Sequence, residues 1–156
     1  MRLRRVIRKT RDGDFEVRIG DDEREVVATV LGQLRDALRG DASADPGFRR
    51  LFPVAYAQDA SKEAEYRELV GDELVQKRLA SIDVAMAALG ETRIDEEQLL
   101  ALMGAVNDLR LVLGTRLDVS EDTDLRVDPT EPEAGAYALY GFLGYLLETC
   151  VDAVSS

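Results

Sequence analysis

An uncharged run from Ala134 to Leu147 places the strongest constraint on how this chain can fold. Because 33% of all residues are charged, such a long uncharged segment stands out and favours burial away from water. The run is shorter than the roughly 18 residues that a membrane-spanning helix needs. It therefore predicts a final helix, from about Glu133 to Val154, that is central to the core or lies at a subunit contact.

The segment after residue 20 carries the signals of a first helix. Asp21 is a capping residue, Asp22 and Glu23 suit the positive end of a helix, and Gly40 is a typical stop. Apolar residues recur at helical spacing between these two ends. The pattern therefore predicts a helix from Asp21 to Gly40.

Three further helical segments are predicted before the uncharged run. A short one begins at Asp45-Pro46, because proline is favoured in the first turn of a helix. The next extends from Ser61 to Leu89, and Gly71-Asp72 leaves open whether it is one helix or two. A long helix is capped by Asp95 and extends to about Arg116.

A β-hairpin is predicted over residues 4–19. Asp12-Gly13 stands between two runs of β-prone residues, which is a strong short-range signal for a hairpin turn. A two-residue loop would place Lys9 opposite Glu16, so that opposite charges face each other. Because a lone hairpin is only marginally stable, we expect a helix to cover its apolar face.

Length and composition fit one mainly α-helical domain. The chain has 156 residues, of which 46% are hydrophobic, and this balance is typical of a globular protein. We predict a single domain over 1–156, with the hairpin over 4–19, a bundle of about five helices over 21–156, and an acidic loop over 118–133. Since we recognise neither a signal peptide nor a membrane span, we expect a cytoplasmic protein.

The residues that most enzymes use are missing from the sequence. It contains no histidine and one cysteine, Cys150, which excludes zinc sites built from Cys and His as well as Ser–His and Cys–His pairs. We find no glycine-rich phosphate loop, and the acidic loop does not have the spacing of a calcium-binding loop. We therefore predict a protein that is not an enzyme and has no catalytic residues, no metal and no cofactor.

Net charge weighs against two classes of partner. The chain carries a net charge of −11 at pH 7 and has a pI near 4.5, although its first eleven residues are basic. A protein this acidic is repelled by phosphate backbones and by anionic membrane surfaces. We therefore expect neither nucleic-acid binding nor membrane binding.

One polar stripe on the helix that follows Asp95 is the candidate site. Asn107 and Arg110 are three residues apart and share a helical face beside the apolar seam, and Arg116 follows near the helix end. An arginine can bind a carboxylate through two hydrogen bonds, and Glu148 in the last helix is a suitable mate. These four residues form either an internal polar clamp between helices or a recessed site for an anionic ligand or a partner's carboxylate.

Four segments together resemble a known family: Arg50 to Pro53 with Tyr56, Tyr66 to Leu69, Asn107 to Val119, and Tyr140 to Val154. The family is an uncharacterised actinobacterial one, described as a domain of unknown function. The resemblance covers most of the chain from about Val17 onward, and the run that begins at Asn107 is its most specific part. It implies no activity, but it implies a context, because genes of this family often stand beside the gene for the Clp protease adaptor.

Three functional hypotheses follow. The first is a non-catalytic protein-interaction module, which the resemblance alone links to the Clp adaptor and protease system as an accessory or modulator. The second is a sensor for a small anionic ligand held by Asn107, Arg110 and Arg116. The third is an enzyme that works by carboxylates alone, which the missing histidine disfavours. The apolar final helix and the hairpin edge also leave a homodimer open.

Overall fold

Four helices and a small antiparallel sheet form the part of the chain that the computed structural model describes, which is residues 6–40, 59–117 and 133–156. The elements in chain order are β1 (Ile7–Lys9), β2 (Phe15–Val17), α1 (Asp21–Arg39), α2 (Ala60–Leu89), β3 (Arg93–Ile94), α3 (Glu96–Arg116) and α4 (Ala134–Val154). The prediction of a mainly α-helical fold with an N-terminal hairpin is confirmed. The described residues contain one helix fewer than the five expected. The segment expected at Asp45-Pro46 lies outside them, as does the acidic loop up to residue 132.

The hairpin forms, but its register differs by one residue from the predicted one. β1 and β2 pair antiparallel, with Ile7 opposite Val17 and Lys9 opposite Phe15. The prediction that Lys9 faces Glu16 is therefore wrong. The observed register places two buried side chains, Ile7 and Val17, directly across from each other, which favours it over a register based on charge alone.

The turn explains this shift. The amide of Thr10 donates to the carbonyl oxygen of Asp14 (2.8 Å), so that three residues, not two, lie in the loop. Gly13 takes the last of these positions with φ of 88°, in the left-handed region that glycine adopts without steric cost. A three-residue loop with glycine at its left-handed position is a common hairpin connection, and Asp12-Gly13 is compatible with either loop length.

A third strand, β3, which was not predicted, extends the hairpin. It pairs antiparallel with β2, with Phe15 opposite Ile94. The guanidinium of Arg93 donates to the carboxylate of Asp12 (2.7 Å) and so ties this strand to the hairpin turn. A strand of two residues is too short to show the alternation that identifies strands in a sequence.

Arg24, in the first turn of α1, joins the sheet to the helices. Its guanidinium donates to the backbone carbonyl oxygens of Val17, Ile19, Leu89 and Glu91. Two of these acceptors lie at the end of β2 and in the β2–α1 connection, and two lie at the end of α2 and in the segment before β3. One side chain therefore satisfies four carbonyl groups from two distant parts of the chain.

The predicted cap of α1 is wrong, because Gly20 occupies the N-cap without a side-chain hydrogen bond and Asp21 is the first helical residue. Other helix ends agree with the signals in the sequence. α1 ends directly before Gly40, as predicted. α3 begins with a reciprocal cap, in which the carboxylate of Asp95 accepts from the amide of Gln98 (2.8 Å) and the side chain of Gln98 accepts from the amide of Asp95 (2.9 Å). α2 is continuous, so Gly71-Asp72 does not divide it.

The sheet and the four helices share one hydrophobic core. α4, which contains the uncharged run, packs against α3 and β1, and α2 packs mainly against α3. Side chains that are almost completely buried come from every layer, and they include Ile7, Leu31, Ile82, Ile94, Leu102 and Leu143. None of the described helices is both long enough and apolar enough to span a membrane.

Candidate functional site

Arg110 lies across the contact between α3 and α4. Its guanidinium stacks over the ring of Tyr140, with Cζ 5.0 Å from the ring centroid, in a cation–π arrangement. A side chain at Gly144 would place its Cβ 3.4 Å from Nε of Arg110, so glycine at this position leaves room for the arginine on the backbone of α4. Tyr140 and Gly144, on successive turns of α4, therefore orient the side chain of Arg110.

The hydrogen-bonding capacity of Arg110 is left unfilled. Its Nε is buried and has no hydrogen-bond partner among the described residues. A buried donor without a partner costs about 1–3 kcal/mol. Arg110 also forms no ion pair within that part of the chain. A free cationic group that is half-buried between two helices is suited to binding a carboxylate from elsewhere.

The structure does not bring Glu148 to Arg110. Glu148 is exposed and, like Arg110, has no ion-pair partner in the described ranges. The guanidinium of Arg110 lies over Tyr140 and its Nε lies beside Gly144, one helical turn before Glu148, and no ion pair forms between the two side chains. An internal clamp between these two side chains is therefore not formed.

α3 and α4 are antiparallel neighbours. The hydroxyl of Tyr137, near the start of α4, is 3.4 Å from the carbonyl oxygen of Leu117 at the end of α3. Arg110, two turns earlier on α3, meets Tyr140 and Gly144, one to two turns later on α4. The outward sides of the two helices therefore form one continuous surface.

We call this surface the α3/α4 face. Its members are Leu100, Asn107 and Arg110 on α3, and Tyr140, Gly144 and Val151 on α4, with Glu148 at its edge. Leu100 and Val151 are 49% and 45% exposed, which is high for large aliphatic side chains. The side chain of Asn107 is half-buried and makes no hydrogen bond to another described residue. In a chain with so many charged residues, an apolar face with one unpaired cation is typical of an interaction surface.

The buried polar clamp of this fold is formed by another pair. Asp108 on α3 is only 9% exposed, and its carboxylate lies 2.6 Å from Nη1 of Arg78 on α2. Burial raises the pKa of Asp108, and the hydrogen bond and charge of Arg78 lower it only in part. This pair was not predicted from the sequence. An acid within the apolar run Leu102 to Leu113 was the available signal.

Arg116 lies at a different place from Arg110 and Asn107. It borders a cavity of about 100 Å³ between α1, α3 and α4. The lining is otherwise mainly apolar, with Leu34, Leu109 and Leu139 among its members. Ligand pockets usually have volumes of about 300–1,000 Å³. The three residues expected around a small anion are therefore not gathered in one pocket.

Cys150 is completely buried in the core. Burial away from charged groups raises the pKa of its thiol to about 12. Since the thiolate is the reactive form of cysteine, this thiol is chemically inert in the folded protein. In the described ranges, no three His, Cys, Asp or Glu side chains are placed to hold a metal ion.

Comparison with known proteins shows that this chain belongs to a family. A family model described as a domain of unknown function, DUF2017, matches residues 4–154. A protein of Mycobacterium leprae (strain TN), named "Putative oxidative stress regulator AosR", is 31% identical, and the match covers 85% of this chain and 67% of that protein. No solved structure matches the chain. The family match includes every described helix and strand and therefore the whole α3/α4 face.

Proposed function

We propose that this chain, which belongs to the DUF2017 family, acts as a non-catalytic regulatory module that binds another protein through the α3/α4 face. One observation carries the proposal. Arg110 is half-buried in an exposed apolar surface, and its Nε lacks a hydrogen-bond partner among the described residues. Because Nε is buried, a carboxylate or carbonyl oxygen of a partner would bind the terminal nitrogens of Arg110, which form no hydrogen bond or ion pair among the described residues, while the partner covers Leu100 and Val151 on the same two helices.

The exposed apolar side chains support the same proposal. Interface centres are enriched in aromatic residues and arginine and depleted in other charged residues. The α3/α4 face has this composition, with Arg110 stacked on Tyr140 at its centre. The face also lies on two long helices that contribute to the core, so that its geometry is fixed before a partner binds.

The chemistry of the chain favours binding over catalysis. Histidine is missing from the sequence. The two described groups with raised pKa values, Asp108 and Cys150, do not border the cavity between α1, α3 and α4. Asp108 already has an ionic partner, and Cys150 is buried. Neither group is placed to act on a substrate.

We extend to this chain the regulatory role that the name of the Mycobacterium leprae relative states. For this chain, regulation would act through protein contact and not through oxidation of Cys150. The thiol is buried and its pKa is about 12, which leaves very little thiolate near neutral pH. A signal of oxidative stress would therefore reach the chain through its partner.

Crosslinking and affinity capture from native host cells, read by mass spectrometry, test the proposal. The wild-type chain is compared with Arg110→Glu and with Lys77→Glu, which makes the same charge change at an exposed position of α2. We expect wild type and Lys77→Glu to capture the same protein and Arg110→Glu to lose it, with all three equally folded by circular dichroism. If the Clp adaptor were that protein, the link implied by the family resemblance would gain physical support. Equal capture by all three variants would contradict the proposal.

A further inference from the structure

We propose that Met86 is a site of oxidation by hydrogen peroxide, and that Arg35 binds the sulfoxide oxygen so that the fold survives the modification. Both residues lie where α1 packs against α2. The inference goes beyond the proposed function and does not depend on it, because neither residue belongs to the α3/α4 face. Its evidence is a hydrogen-bond donor and a space beside one half-buried sulfur atom.

The sulfur of Met86 lies against a cationic donor. Nη1 of Arg35 donates to Sδ of Met86 at 3.5 Å and lies at the same distance from the carboxylate of Asp83, which is exposed. A thioether is a weak acceptor, and 3.5 Å is long for a hydrogen bond to oxygen. Arg35 makes no other hydrogen bond to a described residue. Its guanidinium is therefore free to turn toward a stronger acceptor.

Helix α1 leaves room beside the side chain of Met86. Gly32 faces it, and among the described atoms a Cβ added at Gly32 would meet only Cε of Met86, at an ordinary contact distance of 3.8 Å. A group of the size of a methyl therefore fits between the backbone of α1 and Met86. An oxygen atom on the sulfur is no larger than a methyl group. The rotatable bonds of methionine let this oxygen turn toward Arg35.

Peroxide has access to this part of α2. Met86 is half-buried, and Asp83 and Ala87 on the same turn are exposed, so the sulfur lies close to solvent. The thiol of Cys150, in contrast, is completely buried. Of these two sulfur atoms, the one in Met86 is therefore the one that peroxide reaches in the folded protein.

The reaction transfers one oxygen atom to the sulfur. A lone pair of Sδ attacks peroxide, the S–O bond forms and the O–O bond breaks. The departing hydroxide takes the proton of the transferred oxygen and leaves as water, so the thioether is oxidised and peroxide is reduced. The sulfoxide is polar and usually disrupts a packed core. In this protein its oxygen would accept a charge-assisted hydrogen bond from Arg35, which offsets the cost of burying it.

Peroxide treatment of the purified full chain, followed by peptide mass spectrometry and urea unfolding, tests the proposal. The chain has three methionines, so Met103→Leu leaves Met86 as the only one besides Met1. In this background we expect oxidation of Met86 in the folded protein and a urea midpoint within about 0.3 M of the reduced form. When Arg35→Leu is added, the same oxidation should lower the midpoint by roughly 1 M, because the sulfoxide has lost its donor.

Met103 provides the matched control. It is half-buried on α3 and packs against the core, but it makes no hydrogen bond to another described residue. In the Met86→Leu background, oxidation of Met103 should therefore lower the midpoint by roughly 1 M. This comparison needs no substitution of Arg35, so it decides the question even if Arg35→Leu does not fold. Circular dichroism verifies that each variant is folded before peroxide is added.

Three outcomes would overturn the inference. The first is a Met86 that peroxide oxidises in urea but leaves unmodified in the folded chain. The second is an oxidised Met86 that lowers the urea midpoint as much as an oxidised Met103 does. The third is an equal loss of stability on oxidation of Met86 with Arg35 and with Arg35→Leu. Capture of a partner through Arg110 is unaffected by any of these results, so the proposed function is tested separately.

Discussion

Replacing Arg78 with methionine would leave the carboxylate of Asp108 buried without its ionic partner. Asp108 is 9% exposed, and no other partner within the described ranges bonds to it. Breaking a fully buried ion pair costs about 3–5 kcal/mol. Because the Arg78 side chain is 27% exposed and water partly screens the pair, we expect a loss of about 2–3 kcal/mol near pH 7.

The penalty should shrink in acid. Burial raises the pKa of Asp108, so the folded protein holds this proton more tightly than the unfolded chain does. Between the ordinary pKa and the raised one, this group therefore lowers the free energy of unfolding as pH rises. Arg78→Met removes the attraction that holds the pKa of Asp108 down, so this pKa rises further. The free energy of unfolding then keeps falling up to a higher pH. Near pH 4.5 we expect a penalty of only about 1 kcal/mol, because the neutral acid tolerates burial better.

Urea unfolding at both pH values measures these penalties. For a chain of this size, 2–3 kcal/mol lowers the midpoint by roughly 1–2 M. Arg39→Met is the matched control, since Arg39 and Asp36 are exposed and 4.0 Å apart, and it should change stability by less than about 0.5 kcal/mol. The double variant Arg78→Met/Asp108→Leu should recover to within about 1 kcal/mol of wild type. A penalty for Arg78→Met that is equal at both pH values would refute the reasoning.

Three more predictions concern residues away from the α3/α4 face. Cys150 should react with iodoacetamide at least about a hundredfold more slowly in the folded protein than in urea, because its thiol is buried and its pKa is about 12. A comparable rate in both states would contradict this. Arg24→Met should lower the free energy of unfolding by about 2–3 kcal/mol, since four backbone carbonyl groups lose a donor. A urea midpoint equal to that of wild type would exclude this role. Arg93→Ala should cost less than about 1 kcal/mol, because its ion pairs with the hairpin turn are exposed. A larger shift in the same assay would show that β3 depends on them.

Sequence patterns predicted the helices well because their ends carry local signals. Asp95 and Gln98 form a reciprocal cap that is visible as a spacing of three residues. Gly40 marks the end of α1 for an equally local reason. The continuity of α2 through Gly71-Asp72 was not predictable, because the cost of a helical glycine is small compared with tertiary packing.

Contacts between distant residues were beyond the sequence. The hairpin register depended on which side chains the core buries, and Asp12-Gly13 was compatible with two loop lengths. Arg24 and Arg78 look like ordinary helix-surface arginines until their acceptors, far away in the chain, are known.

The candidate site was predictable in part. Asn107 and Arg110 share one face, as their spacing indicated, whereas Arg116 borders a separate cavity. The position of Arg110 on Tyr140 and Gly144 depends on how α3 packs against α4. A single sequence does not contain that information, so it could not separate an internal clamp from an open binding surface.

Site-specific photocrosslinking in living cells tests the α3/α4 face as a binding surface most directly. A photoreactive phenylalanine replaces Asn107, one turn before Arg110 on the face, or Lys77, at an exposed position of α2. We predict a discrete covalent adduct from position 107, with this chain or with another protein, and none from position 77. An adduct that forms equally at both positions, or no adduct at position 107 in a chain that is folded and expressed, would contradict it.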